Sequence, residues 1–599
     1  MTHRILPVLV LALSACSSNG GGTSADLAAP HDAAPETIAA DTNTDTSTVN
    51  DAATEIDAGV PCAYTTRHLI PGPCEEGWDP ELAQKARRYD RTWTLFNAAA
   101  FGVNTDVGVA AANTADRALI DTFIQEMDGW EAEFTAYAGK APEDVITGFN
   151  KVAGLYGGVG IVADAYRYGV LRDQGLDAAD VAQARGQLLR ALETLHMASA
   201  ITGVEGVICR GLALKEWGYA TTTPLFDEEG VPLPYEKNNG TWREDNSGLY
   251  PDVIWEDSVS RDMLIGWAAA YGAAWEVIRD DETIPGEVKA TLQADAAALG
   301  TALMVVGESG YDLEVPDADG RITLHGWINE HNLDGHVYND ALENGFHAVM
   351  ALGIVGAYAY AAEDPELTAW FEEDLVIARE LPRIAKDHVM ELTDFGYASN
   401  FSNYNMAFMG YWMALRYVRD PGARQLLRVG LKSSLYDRPG KDFQPADIHY
   451  SFYDFTFAAG WADGAADAPM ATEPLSSAVD SGVDTLRRFA VPPYWNVEVI
   501  NCPAFEACTC ADDQCSCPPE ATAEPCVASD GVTLLTPLGC KGWKCSVVVD
   551  AAVPWDLQRP SNYHWRSAPH DANGGGDGSG LLPGVDFRFA YWMGRWAQR

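Results

Sequence analysis

Two kinds of predicted helix alternate along the middle of this chain, and the alternation restricts its fold more than any other feature. Some segments are apolar on nearly every side, and each is followed by a segment with one apolar stripe. The apolar segments are 148–168, 262–278, 341–362 and 404–418, and the amphipathic ones are 178–198, 286–304, 365–381 and 422–436. Because a helix that is apolar all round is buried whereas an amphipathic helix faces solvent, the pattern predicts an inner and an outer helical layer.

Two further pairs extend this pattern to six helical hairpins. They lie at 82–102 with 115–135 and at 450–461 with 474–489. Six hairpins in two layers resemble the (α/α)6 toroid of six-hairpin glycosidases and toroidal polysaccharide lyases. The resemblance implies an all-α fold, to which a small disulfide-rich insertion and a C-terminal helix at 584–597 are added. An irregular helical array or a solenoid is the alternative architecture.

The amino terminus predicts export and lipidation. A short basic start precedes an apolar run at 5–13, which is too short to span a bilayer because a spanning helix needs about 20 residues. The sequence LSAC at 13–16 then resembles the lipobox of bacterial lipoproteins. The resemblance implies cleavage before Cys16, a lipid on its sulfur and anchoring in the cell envelope. Ser17 implies the outer membrane. An ordinary secretory signal is the alternative.

A polar segment separates the lipobox from the folded body. Residues 17–60 contain no aromatic residue and no Lys or Arg. Such a segment cannot bury enough apolar surface to offset its ordering entropy, so we expect a disordered acidic tether. The predicted divisions are a signal peptide at 1–16, the tether at 17–60, the toroid at 61–500, a cysteine-rich module at 501–546 and a segment docking on the toroid at 547–599.

The net charge limits the classes of partner. The formal net charge is −46, which argues against nucleic acid and against direct docking on anionic lipid. The predicted contact with a membrane is therefore the lipid anchor. An acidic polysaccharide stays compatible with this charge, because a local basic site can exist within an acidic protein.

The cysteines are concentrated near the carboxyl end. Eight of the twelve are Cys502, Cys508, Cys510, Cys515, Cys517, Cys526, Cys540 and Cys545. Export permits disulfides, and this density predicts a disulfide-stapled module whose pairing the sequence leaves open. A zinc or iron–sulfur site is the less favoured alternative, because paired CxxC motifs and nearby His are lacking. Cys62 and Cys74 could close a small loop, and Cys209 is expected to be a buried thiol.

Four of the predicted inner helices follow loops that are dense in polar and aromatic residues. These loops lie at 254–263, 325–340, 393–406 and 447–454. Binding residues concentrate on loops that a rigid scaffold holds in place. Aromatic faces can stack on sugar rings, and Asn, Asp and His can bond to hydroxyls, so the loops together predict a carbohydrate site. For any single Asp or Asn, capping a helix is the alternative role.

Two catalytic chemistries are open at such a site. In β-elimination on a uronic acid, as in toroidal lyases, the candidates for proton transfer are His331 and His449, because imidazole titrates near neutral pH. Tyr404 or Tyr450 would assist as the acid.

An inverting hydrolase would instead need two carboxylates about 6.5–9.5 Å apart. The candidates are Asp257, Glu330, Asp334 and Asp454, and the preferred pair is Asp257 with Asp454. The residues predicted to bind substrate are Arg261, Trp255, Trp327, Asn400, Asn403 and His325. Among these, Arg261 and Asn400 would hold an acidic sugar.

No metal and no cofactor are predicted. The spacings between His325, His331 and His336 do not place these residues on one helix face, and no HExxH motif is present. We therefore interpret the chain as a lipid-anchored envelope protein that binds a polysaccharide or oligosaccharide. Cleavage of this ligand by a lyase or hydrolase mechanism is a second hypothesis. A non-catalytic glycan-binding or scaffolding lipoprotein is the alternative.

Overall fold

A computed structural model describes most of the chain beyond the tether. The described residues are 68–125, 139–236, 240–335, 337–394, 396, 399–441, 443–462, 472–493, 495, 500–501, 507–511, 514–528, 532–541, 546–553, 569–572 and 579–598. The predicted signal peptide with Cys16, the tether, Cys62 and His336 lie outside the described residues.

The helices account for most of the buried apolar surface. They are α1 (Pro80–Thr92), α2 (Thr114–Gln125), α3 (Gly154–Asp173), α4 (Ala178–Ala200), α5 (Arg261–Ile278), α6 (Gly286–Met304), α7 (Gly345–Ala362), α8 (Pro365–Ala369), α9 (Leu381–His388), α10 (Phe401–Tyr417), α11 (Pro421–Gly430), α12 (Ser451–Ala462), α13 (Thr472–Arg488) and α14 (Val585–Trp596). Three of them, α1, α8 and α11, continue as wider π-type turns at Trp93–Asn97, Trp370–Ala378 and Leu431–Tyr436.

Six helices form the buried layer: α3, α5, α7, α10, α12 and α14. Each contacts the next in this order, and α14 also contacts α3. Of these, α7 is long and apolar enough to cross a membrane, but 89% of it is buried inside the protein. Among the described residues α7 is therefore a core helix, and it contacts α5, α6, α9 and α10.

The six buried helices run parallel to one another. Between α5 and α7, for example, Arg261 bonds to His347 near the amino ends, and Trp275 bonds to Glu363 at the carboxyl ends. Positions at similar distances from the amino ends also meet between α7 and α10, between α10 and α12, and between α14 and α3. The amino ends of all six helices consequently lie at one end of the body, which we call the amino face.

Small residues allow the closest of these helix contacts. A Cβ placed on Gly158 of α3 would lie 2.1 Å from the carbonyl oxygen of Gly266 on α5. Such a position admits only a hydrogen atom, so the two backbones are in direct contact. On the other side of α7, Gly353 and Gly410 bring α7 and α10 together in the same way.

Short strands lie between the helices and after them. They are β1 (Val107–Val109), β2 (Ile146–Phe149), β3 (Val152–Ala153), β4 (Gly211–Leu214), β5 (Trp242–Glu244), β6 (Val253–Glu256), β7 (Glu314–Pro316), β8 (Ile322–Trp327), β9 (Asn332–Asp334), β10 (Val337–Tyr338), β11 (Ile500–Asn501), β12 (Thr509–Ala511), β13 (Gln514–Ser516), β14 (Cys526–Ala528), β15 (Leu534–Leu535), β16 (Pro537–Lys541), β17 (Ser546–Val549), β18 (Asp571–Ala572) and β19 (Gly580–Leu581).

The strands pair antiparallel in small sheets. The largest has the order β3-β4-β6-β5, and smaller sheets are β19-β1-β2, β7-β8 and β10-β9. Strand β3 runs directly into α3, and β6 ends shortly before α5 begins. The four-stranded sheet therefore sits against the amino face, where it positions the loops that enter α3 and α5. The later strands form the sheets β11-β14-β15, β12-β13 and β16-β17-β18.

The predicted fold class, an all-α (α/α)6 toroid of six hairpins, is wrong. The chain combines helices with many strands, which lie in segments that the sequence indicated as loops. Strands of two to six residues are too short for their alternation of apolar and polar residues to stand out. In addition, the segment predicted as an inner helix at 82–102 forms the shorter α1, whereas the C-terminal α14 belongs to the buried layer.

Disulfides in the cysteine-rich region are confirmed. Cys508 bonds to Cys517, and Cys515 bonds to Cys540. Cys209 is a free thiol and is completely buried, as expected. Desolvation raises the pKa of the Cys209 thiol far above its usual range, so this sulfur stays protonated and unreactive. Cys502 and Cys545 lie outside the described residues.

Candidate functional site

A chain of contacts joins two of the predicted site residues at the amino face. Nη1 of Arg261, the first residue of α5, lies 3.2 Å from Nε2 of His347 on α7. Nδ1 of His347 lies 3.2 Å from the carbonyl oxygen of Asn329. Oδ1 of Asn329 in turn accepts the backbone N–H of His331 at 2.9 Å. The structure thus brings Arg261 and His331 to the same loop, over the amino end of α7.

The imidazole of His347 is held neutral. A guanidinium can only donate, so Nε2 of His347 accepts and its proton resides on Nδ1, which donates to Asn329. Desolvation, followed by the charge of Arg261, lowers the pKa of His347 to about 3. The half-buried Arg261 therefore keeps its positive charge beside an uncharged partner, while its guanidinium also lies 5.6 Å from the ring centre of Phe346.

His331 lies at the edge of a group of partly exposed rings. The rings of Tyr311 and Tyr338 stack at 4.2 Å, and the ring of His331 is tilted at 6.2 Å from that of Tyr311. Nδ1 of His331 lies 2.9 Å from the carbonyl oxygen of Leu342, so the Nδ1–H donates there. The remaining ring nitrogen, Nε2, is 3.7 Å from a carboxylate oxygen of Glu330.

A buried ion cluster fixes the backbone next to His331. Nε of Arg379 donates to Glu330 at 2.8 Å, and Nη1 donates to Asp312 at 2.8 Å. Glu330 is 2% exposed, so its charge depends on Arg379 for compensation. The loop that carries His331 is therefore held rigidly rather than loosely.

The residues predicted at the amino end of α10 have structural partners. Tyr404 is buried, and its hydroxyl accepts a hydrogen bond from Nη1 of Arg438 at 2.6 Å. Burial raises the pKa of Tyr404 well above its usual range. Asn400 caps α10 by accepting the backbone N–H of Ser402, and Asn403 is buried. For Asn400, helix capping is the role that the structure supports.

The residues predicted at the amino end of α12 are divided between core and surface. Tyr450 and Asp454 are buried, and Asp454 accepts a hydrogen bond from the hydroxyl of Tyr436 at 2.6 Å. Burial raises the pKa of Asp454 to about 7. His449 is exposed and has a left-handed backbone, and its Nδ1 is 3.0 Å from the hydroxyl of Ser481.

Asp257 forms a buried ion pair with Arg243. Its side chain is 0% exposed and accepts hydrogen bonds from Nε of Arg243 and the backbone N–H of Thr241, each at 2.6 Å. Desolvation, followed by the nearby Asp317, raises the pKa of Asp257 to about 7, although Arg243 opposes the shift. The predicted hydrolytic carboxylates, Asp257 and Asp454, are thus held by different partners and present no open surface.

The predicted aromatic binding residues lie in the core. Trp255 and Trp327 are 0% and 4% exposed, and Nε1 of Trp255 donates to the carbonyl oxygen of Glu244 at 2.7 Å. These two rings cannot stack on a bound sugar in this structure. His325 on β8 is half-buried.

A second group of rings, which the sequence did not reveal, is partly exposed beside the amino end of α3. Phe149 and Trp217 stack at 5.0 Å, and Tyr219 meets Trp242 edge-on at 5.2 Å. Nζ of Lys151 lies 5.7 Å from the ring centre of Trp242. Within the described part of the chain, neither the Trp217 indole N–H nor the Tyr219 hydroxyl has a hydrogen-bond partner. The clue in the sequence is the set of aromatic residues that lies among Gly and Pro residues between 217 and 242.

A cleft lies at the opposite, carboxyl end of the buried helices. It is small, with room for about 30 Å³, and its lining includes Trp412, Arg416, Arg424 and Thr456. Arg416 already forms an ion pair with Glu276 and lies over the ring of Trp412. This cleft is not formed by any of the loops predicted to carry function.

The chain was compared with known proteins. Its sequence matches no protein-family description and no curated protein.

Proposed function

We propose that this protein is a lipid-anchored component of the cell envelope that binds an acidic polysaccharide at its amino face. The observation that supports this most is Arg261, a half-buried cation bonded to an imidazole that stays neutral. A carboxylate on a sugar would find there a planar, fixed guanidinium at the amino end of a helix, where the helix dipole also favours an anion.

The surroundings of Arg261 suit a sugar polymer. The partly exposed rings of Tyr311 and Tyr338 lie near one side of the loop over α7, and Phe149, Trp217 and Tyr219 lie near the amino end of the neighbouring α3. Aromatic rings can cover the apolar face of a sugar, and the polar edges of Trp217 and Tyr219 can bond to its hydroxyls. A chain of several sugars would span the two groups.

Binding is better supported than hydrolysis. An inverting hydrolase needs two accessible carboxylates, and both Asp257 and Asp454 are buried in contacts with other side chains. For β-elimination, His331 remains the candidate base because it is partly exposed and is linked to Arg261 through His347 and Asn329. We therefore propose glycan binding as the activity, with His331 as the residue to examine for cleavage, because Tyr404 is as fully buried as the two carboxylates.

Replacing Arg261 with Ala should weaken the binding of an acidic polysaccharide by about 10- to 100-fold, the loss expected for a charge-assisted contact. The measurement is calorimetric or surface-plasmon titration of the fragment lacking residues 1–60 against a panel of acidic and neutral glycans. Arg261→Lys should recover part of the affinity, because lysine keeps the charge but not the bidentate geometry.

The matched control is Arg279→Ala, at the carboxyl end of the same helix, where the arginine side chain is 45% exposed. It should bind like the parent protein. Equal affinity of the Arg261→Ala and parent proteins for every acidic glycan, with unchanged thermal unfolding, would remove Arg261 from the site. Failure of all glycans to bind the parent fragment would refute the proposed function itself.

The membrane anchor is tested separately. Cys16→Ala should prevent lipidation and cleavage of the signal peptide, so that the protein no longer fractionates with membranes as a mature lipoprotein. Cell fractionation and intact-mass measurement give the result, with Cys209→Ala as a control for loss of a cysteine. A mature, membrane-bound Cys16→Ala protein would contradict the proposal.

A further inference from the structure

The cysteine-rich region brings three sulfurs close together, and a fourth is bonded to one of them. Strands β12 and β13 form a hairpin in which Cys510 is the cross-strand partner of Cys515. Cys508 precedes this hairpin and Cys517 ends it, and their Cα atoms are 4.2 Å apart. Strand β16, which carries Cys540, contacts β13 and is joined to it by the Cys515–Cys540 disulfide.

The distances between these sulfurs are close to those of a metal site. The Sγ atoms of Cys508, Cys517 and Cys540 all lie within 4.8 Å of one another, although they belong to two different disulfides. Thiolates bound tetrahedrally at about 2.3 Å from zinc are about 3.8 Å apart. Shifts of about 1 Å would therefore place these three sulfurs around one ion. The sulfur of Cys515 lies outside this group of three, but its bond to Cys540 makes it the fourth candidate ligand.

We propose that these four cysteines form a redox-gated site for a thiophilic divalent cation of the zinc type. In the oxidised state the sulfurs are occupied in two disulfides and bind no metal. In the reduced state Cys508, Cys515, Cys517 and Cys540 hold one cation. This proposal is independent of glycan binding, because no residue of the amino face takes part.

The chemical step balances with a dithiol reductant. Each disulfide accepts two electrons and two protons from one dithiol, which becomes a disulfide, so two dithiols yield four cysteine thiols. The cation then replaces the four thiol protons as it binds four thiolates. All four cysteines are partly exposed, which gives both the reductant and the ion access.

The test uses the full chain, reduced with excess dithiol, freed of reductant without oxygen and titrated with Co²⁺. We expect one Co²⁺ per chain with the intense thiolate-to-cobalt absorption of a tetrahedral site, and displacement of the cobalt by Zn²⁺. The unreduced protein should show no such absorption. Cys517→Ser and Cys540→Ser should each weaken metal binding at least 10-fold.

Two matched variants distinguish this site from the other sulfurs. Cys209→Ser removes the buried thiol, and Cys74→Ser removes a cysteine that is also disulfide-bonded, so both should retain the cobalt spectrum. Circular dichroism should show that the helical body of every variant stays folded after reduction. Absence of the thiolate absorption in the reduced protein, or its full retention in Cys517→Ser and Cys540→Ser, would overturn the proposal.

Discussion

Replacing Arg588 with Met should lower the free energy of unfolding by about 3–5 kcal/mol, the cost of leaving buried charges without their partner. Arg588 on α14 is 1% exposed. It donates to Asp90 at 2.8 Å and to Asp164 at 2.7 Å. Nε of Arg167 also lies 3.2 Å from the carboxylate of Asp90. Two buried arginines therefore balance two buried aspartates. Methionine fills similar space but leaves two carboxylates with a single cation.

Urea unfolding of the fragment lacking residues 1–60 measures this loss. Adding Asp164→Asn to Arg588→Met removes one uncompensated charge and should restore at least about 1 kcal/mol. Arg279→Met, at an exposed position, should change the stability by no more than about 0.5 kcal/mol. The prediction is contradicted if the Arg588 and Arg279 variants unfold at the same urea concentration.

Asp454→Asn should make the protein more stable at alkaline pH. The pKa of Asp454 rises to about 7 in the fold because of burial, against a usual value of 3.8. At pH values between 3.8 and about 7, the carboxyl group of Asp454 is protonated in the native state but ionised in the unfolded state. The free energy of unfolding therefore falls as pH rises, by about 1.4 kcal/mol per pH unit and about 4 kcal/mol in total.

Asparagine removes this titration while still accepting the hydrogen bond from Tyr436. The variant and the parent should have similar stability at or below about pH 4, and the variant should gain a few kcal/mol by pH 8. The control is Asp280→Asn, whose side chain is 87% exposed, and it should change stability little at any pH. A constant difference between the Asp454→Asn variant and the parent from pH 4 to pH 8 would show that Asp454 does not titrate in this range.

The sequence predicted the long helices well. The segments predicted at 178–198 and 262–278 agree closely with α4 (Ala178–Ala200) and α5 (Arg261–Ile278). These helices have long, regular apolar patterns, which local sequence reports directly. Most of the strands were missed because pairing between distant short segments decides them. Strand β3, with two residues, is extended only because β4 lies beside it.

The site was predicted less completely, because burial and ion pairing depend on contacts far apart in the sequence. The loop containing Asp257 is polar in sequence, yet Arg243 holds Asp257 inside the protein. His347 looked like part of an apolar helix, but it joins Arg261 to the loop of His331. Local patterns therefore indicated which loops are rich in functional residue types, but not which side chains are accessible.

The position of α14 in the buried layer has a consequence for how the chain folds. Its contact between Arg588 and Asp164 spans 424 residues, so this part of the core cannot form until the chain has been made as far as α14. Until then, the sides of α3 and α12 that α14 covers stay open to solvent and prone to aggregation. Contacts of such high sequence separation also slow folding. A chain truncated by its last fifteen or so residues would be a substrate for chaperones and proteases rather than a smaller native protein.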